Sequence, residues 1–194
     1  MASPFLYAVT DFGSTAVLIP VTAVVLVWLL FQPTRDLAAW WLVAATACII
    51  GTAALKIWFF VCPDPDLHSP SGHTSLSALV YGALTMIGAA YSEGWRRRLA
   101  VGLSVLAVLS IALSRVLLGA HTAVETGLGV VIGLAALAIF LRAHSAMRPK
   151  FVHVRPLFLC VALLVLLLHG QQLHAEELLQ SLGVYIKAGG VACG

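Results

Sequence analysis

Charge is what this chain has least of. Only 10% of its 194 residues are Asp, Glu, Lys or Arg, while 61% are hydrophobic. A soluble domain carries roughly 25% charged residues, so a water-facing globular surface is excluded. Alternating apolar and polar residues are missing, which removes strands and leaves an all-α class. No internal repeat or low-complexity linker divides the chain. Its four cysteines show no zinc or haem spacing. Cys48 and Cys160 fall mid-span and read as small buried apolar groups. Cys62 and Cys193 fall on one side of the membrane, where a pair is the minor alternative and only if that compartment is oxidising. The first residues hold no Lys or Arg, so no signal peptide is expected there. A short N-terminal tail is expected to cross directly.

What remains is long apolar blocks, each near the 20 residues that span a bilayer. They predict about six helices: Gly13–Phe31 with a kink at Pro20, Leu37–Phe60, His73–Tyr91, Leu99–Leu118, His121–Leu141 and Leu157 to roughly Gln172. The last is the shortest in apolar length. The tail from Leu173 to Ile186 is expected to lie on the membrane surface. Trp40, Trp41 and Trp95 stand near span ends and read as interfacial anchors. The expected architecture is a polytopic transmembrane helical bundle forming a single domain over residues 1–194. Its core covers about 37–141, and a last helix with its tail covers 157–194. Arg35, Arg96–Arg98, Arg142, Arg148, Lys150 and Arg155 fall on one side, and Lys56, Arg115 and Lys187 on the other. The cation-rich side is expected to be cytoplasmic, which turns the loop 63–72 and the turn 114–121 outward. Arg96–Arg98 reads as a topology anchor, not a nucleic-acid patch.

Against this hydrocarbon, one stretch stands out: Ser114-Arg115-Val116-Leu117-Leu118-Gly119-Ala120-His121-Thr122-Ala123-Val124-Glu125. Charges at membrane depth are costly and mark function. On a helix beginning near His121, Glu125 would share its face. The carboxylate could then accept the Nδ1 proton and leave Nε2 free to attack, as in an oriented nucleophile. A second imidazole stands in Pro70-Ser71-Gly72-His73, at the mouth of another apolar helix. Gly72 permits close backbone approach, and Ser71 with the first helix amides can donate to phosphate oxygens. Lys56 and Arg115 place positive charge where a phosphoryl-transfer transition state gains negative charge. Gly129 and Gly133 form a small-xxx-small pair that reads as close helix packing. Asp64, Asp66 and His68 read as a rigid polar loop, and no metal site is expected.

Pro70-Ser71-Gly72-His73 and Ser114-Arg115-x5-His121-x3-Glu125 together resemble the second and third signatures of the type 2 phosphatidic acid phosphatase family, over about Lys56–Gly133. The resemblance implies that His121 attacks phosphorus to form a phosphohistidine, Glu125 orients it, and His73 protonates the leaving group. Lys56, Ser71, Gly72 and Arg115 would hold the phosphate, with no cofactor. The implied substrate and partner is a membrane lipid phosphate or pyrophosphate, of polyprenyl or glycerolipid type. The implied location is a bacterial inner membrane, with the active site facing the periplasm. Homo- or hetero-oligomers stay open. Two departures stand out. The third signature ends in Glu125 where the family has Asp. The first, Lys-x6-Arg-Pro, lacks its Arg: from Lys56 onward, Cys62 and Pro63 occupy that place. Phosphotransfer to another lipid, or a non-catalytic accessory role, are the alternatives.

Overall fold

The computed structural model describes residues 3–63, 69–90, 92–171 and 175–188. Among them are eight helices and no strand. The six expected helices are α2 (Thr15–Leu30), α3 (Asp36–Val61), α4 (Gly72–Ala89), α5 (Trp95–Leu117), α6 (Ala123–Met147) and α7 (Val154–Leu168). A short α1 (Pro4–Asp11) precedes them and α8 (Ala175–Ala188) follows. Pro20 sits inside α2 without ending it. Four segments are long and apolar enough to cross a membrane: Pro4–Leu30, Asp36–Val61, Trp95–Leu117 and Ala123–Met147. This is a polytopic membrane protein.

The short α7 and α4 are missing from that set, and α4 owes its absence to its placement. It is the inner helix, with eleven buried residues from Thr74 to Ala89. Two of its polar residues, Thr74 and Ser75, find partners on neighbouring helices, whereas the buried Ser77 hydroxyl has none. Thr52 Oγ1 donates to Ser75 Oγ at 3.0 Å, and Thr74 Oγ1 donates to the Ser71 and Thr126 carbonyls at 3.0 and 3.2 Å. A helix sheltered from lipid can carry hydroxyls, because other helices satisfy them. By contrast α5 turns Leu103, Leu106, Leu109, Leu113 and Leu117 out of the bundle.

The parallel pair α4 and α6 forms the centre. Gly129 lets α6 lie directly against the start of α4: a methyl group there would overlap Thr74 Oγ1 and stand 2.5 Å from the Ser71 carbonyl oxygen. Gly133 meets the Ser75 carbonyl and the Ala78 methyl in the same way. Backbone cannot move aside as a flexible side chain can. Gly129→Ala is therefore expected to cost about 1–3 kcal/mol as an overpacking change and to weaken activity with it. Gly127→Ala, at a position with nothing within 4 Å, should leave both unchanged. Thermal unfolding in detergent checks the pair.

Several sequence expectations are corrected. Trp41 is no interfacial anchor: it is fully buried, donates Nε1–H to the Thr22 carbonyl at 3.0 Å and meets Phe140 edge-on at 5.3 Å. Trp40 and Trp95 do face outward. Cys48 is buried, but Cys160 is exposed on α7. The last expected span stops at Leu168, because His169 turns away and donates Nε2–H to the Ala8 carbonyl at 2.9 Å. With 15 residues, α7 is about 22 Å long, short of the roughly 30 Å hydrocarbon layer. The expected surface tail contributes α8, which packs against α3, with Gly183 on the Phe60 ring. Cys62 is disulfide-bonded; Cys193, the other cysteine on that side, lies outside the described residues, as do Asp64, Asp66 and His68.

Candidate active site

The ends of α3, α4, α5 and α6 that carry Lys56, His73, Arg115 and Glu125 all lie at one end of the bundle. Local chain geometry sets each group. At the end of α5, Gly119 adopts a left-handed conformation with φ 67°, which glycine tolerates without strain. The chain then folds back, so that the Ala120 and His121 amides donate to the Arg115 carbonyl at 3.0 and 3.3 Å. This turn is the physical content of the five-residue spacer: it fastens His121 to the residue that carries the guanidinium.

His121 is not on the following helix, contrary to the sequence expectation. The helix starts at Ala123, with Thr122 as its N-cap. Thr122 Oγ1 accepts from the Glu125 amide at 3.2 Å, and the Glu125 carboxylate accepts from the Thr122 amide at 2.9 Å. These reciprocal bonds form a capping box. The carboxylate reaching back along the helix also meets His121 Nδ1 at 3.2 Å. Glutamate in place of aspartate still reaches the histidine, because its carboxylate folds back over the helix start.

Glu125 also joins the two motifs. Its other oxygen, Oε1, accepts from the Ser69 amide at 3.1 Å, and its main-chain carbonyl accepts from the Ser71 amide at 3.1 Å. The carboxylate therefore receives three donors while only 3% exposed. An imidazole that donates its Nδ1–H to this carboxylate is the tautomer with Nε2 unprotonated.

The two parallel helices present their positive ends at the same place, but in different states. The capping box occupies the amides at the start of α6. Ser71, the N-cap of α4, makes no side-chain cap bond. Its hydroxyl is buried and has no hydrogen-bond partner. An anion at this N-terminus would meet an available hydroxyl and the helix dipole. Gly72 and His73 form the first turn here, both half-buried.

Burial pushes His121 below the usual histidine range, and the positive charges of Lys56 and Arg115 push it the same way; its bond to Glu125 and the carboxylate charge oppose them. The imidazole is therefore neutral near neutral pH. Lys56, Arg115, His121 and Glu125 are thus one electrostatic cluster, joined through Glu125 to Ser69 and Ser71. Removing a cation relieves part of the downward push. Lys56→Met is expected to raise the His121 pKa and move the acid limb of the kcat/KM profile to higher pH. The loss should be greater on the acid side than on the alkaline side. A rate profile across that limb checks it.

The sequence reading passed over three residues of this region. Ser69 and Thr122 bind Glu125, and the pattern Thr122-x-x-Glu125 is itself a capping-box signal. Asp11, at the end of α1, brings a carboxylate within electrostatic reach of Arg115 and His169. No local pattern announces it, because α1 reaches this place through the packing of distant segments, among them Gly13 against Ile111, Ser77 and the His73 carbonyl.

A helical membrane bundle with a carboxylate-held histidine under the influence of two cations, beside an open helix N-terminus, fits an enzyme of the phosphatase type. The PAP2 superfamily profile matches residues 57–149, beginning one residue after Lys56 and containing both motifs. An uncharacterized 22.5 kDa protein in the cps region of Klebsiella pneumoniae is 30% identical over 153 residues, covering 75% of this chain and 73% of the relative. This chain belongs to the PAP2 superfamily, the type 2 phosphatidic acid phosphatases and their relatives. No solved structure matches it significantly.

Proposed function

We propose that the chain hydrolyses a lipid phosphate or pyrophosphate through a phosphohistidine. The observation that carries this reading is the His121–Glu125 contact beside the uncapped start of α4. In the proposed cycle the Nε2 lone pair attacks phosphorus and the bond to the leaving oxygen breaks. His73 gives that oxygen a proton. The nascent imidazolium is stabilised by Glu125, as the buried acid stabilises histidine in a catalytic triad. Water, losing its proton to His73, then attacks phosphorus, and the P–N bond breaks. Lys56, Arg115, the Ser71 hydroxyl and the amides near Gly72 neutralise the equatorial oxygens.

A lipid is the favoured substrate class because the site lies at the end of membrane-spanning helices, where a headgroup resides. The cations at the opposite end of the bundle favour an outward-facing site, and a disulfide at Cys62 fits an oxidising compartment. With a bacterial relative, these features support a bacterial inner membrane with the site toward the periplasm. The test is phosphate release by purified protein from a polyprenyl pyrophosphate and from a phosphatidylglycerol phosphate, each with and without an acceptor lipid. Release without acceptor supports hydrolysis. Label found only in the acceptor would replace it with phosphotransfer, and neither outcome would leave a non-catalytic lipid-binding role.

A further inference from the structure

Below the site, α4, α5 and α6 part to form a groove of about 270 Å³ that is open along one side, with the exposed Val105, Leu109 and Leu134 on its rim. Its walls are apolar apart from Thr85 and Ser104. Its position relative to the site is regular. The nearest wall residue on α4, Ala78, lies five residues beyond His73; on α6, Val130 lies five beyond Glu125; on α5, Leu109 lies six before Arg115. At 1.5 Å per residue these are depths of about 7.5–9 Å. The far ends, Met86, Val101 and Leu141, lie at about 20–24 Å by the same rise. The groove thus runs along the bundle axis beneath the three residues that flank the phosphate position.

We infer that this groove holds one hydrocarbon chain of the substrate, so that the enzyme acts on a single-chain lipid phosphate, of isoprenyl or alkyl type, with the chain between α4, α5 and α6. The inference rests on the lipid-phosphatase reading of the site. Three features commit the groove to this occupant. It continues from the same three helix ends that hold the headgroup site. Its walls offer almost nothing to a polar ligand. Its volume of about 270 Å³ lies just below the range for ligand pockets, roughly 300–1,000 Å³, which suits one chain and not a pair. Gly82 helps to shape it: a methyl group there would overlap the Leu137 side chain, itself part of the wall. Leu137 is flexible and can yield, so Gly82→Ala should narrow the groove without separating the helices.

The experiment compares Val108→Trp and Gly82→Ala with wild type on a long isoprenyl phosphate, a diacyl glycerolipid phosphate and a short water-soluble alkyl phosphate. Val108→Trp is expected to lower kcat/KM for the long single chain at least tenfold and Gly82→Ala several-fold, while the short ester is turned over unchanged. Wild type should prefer the single chain to the diacyl lipid. Equal losses on long and short substrates, no loss on either, or a preference for the diacyl lipid would overturn the inference. A second measurement does not depend on folding of the variants or on turnover. An isoprenyl phosphate with a photoreactive chain end should label wall residues of α4, α5 or α6 in wild type; label confined to other helices would overturn it. Phosphate release from none of the three esters would instead remove the catalytic reading, with the labelling still judging the groove.

Discussion

His121→Ala is expected to abolish phosphate release and to remove the covalent intermediate. His121 Nδ1 meets the Glu125 carboxylate, which orients Nε2 for attack. The fold should survive. His121 lies in a turn outside the helices, held through its main-chain amide to the Arg115 carbonyl, and alanine keeps that amide. Acid-labile, base-stable phosphate trapped on wild-type protein during turnover, and absent from the variant, is the expected result. Retained turnover in His121→Ala, or a phosphoenzyme still formed by it, would remove the nucleophile from the proposal.

Glu125→Gln tests the orienting group, and a rate loss on the order of 10⁴ is expected, as when the orienting acid of a catalytic triad becomes an amide. The carboxylate offers two acceptor oxygens to three donors: the Ser69 amide, the Thr122 amide and His121 Nδ1–H. Glutamine offers one oxygen and turns an NH₂ toward the remaining donors. If that NH₂ faces His121, it favours a lone pair on Nδ1 and places the proton on Nε2, where the attack requires a lone pair. If it faces a main-chain amide, a buried donor loses its partner, at about 1–3 kcal/mol. The variant should fold with modestly reduced stability, and its deficit should lie in kcat more than in KM. Full activity would mean that Glu125 serves only to join the helices and does not orient His121.

The same residue shows how far the site was legible in the chain. His73, Arg115, His121 and Glu125 stand out because they interrupt hydrocarbon, and their spacing is plain. The geometry between them was not. An i,i+4 relation on one helix suggested the His121–Glu125 contact; the contact exists, but it arises from a capping box reaching back past the helix start. The left-handed turn at Gly119 brings the His121 amide to the Arg115 carbonyl, and a spacer length alone does not specify that turn. Trp41 shows the converse failure. Near a span end, tryptophan reads as an anchor, yet here the ring points inward to Phe140, because the face of a nearly uniformly apolar helix is not encoded in its period.

The sequence by itself determined that this is a membrane protein built of helices, roughly where those helices run, and which few polar residues lie between them. Long apolar runs permit no other backbone solution in a bilayer, and isolated charges there are conspicuous because they are costly. The tertiary structure decided which helix is inner, which ends meet, and which group joins them. Those choices depend on close contacts between segments distant in the chain, such as Gly129 of α6 against the Ser71 carbonyl and the Ser69 amide against Glu125. A chain apolar on nearly every face fixes such contacts through shape and a few hydrogen bonds, and these come into being only when the helices pack.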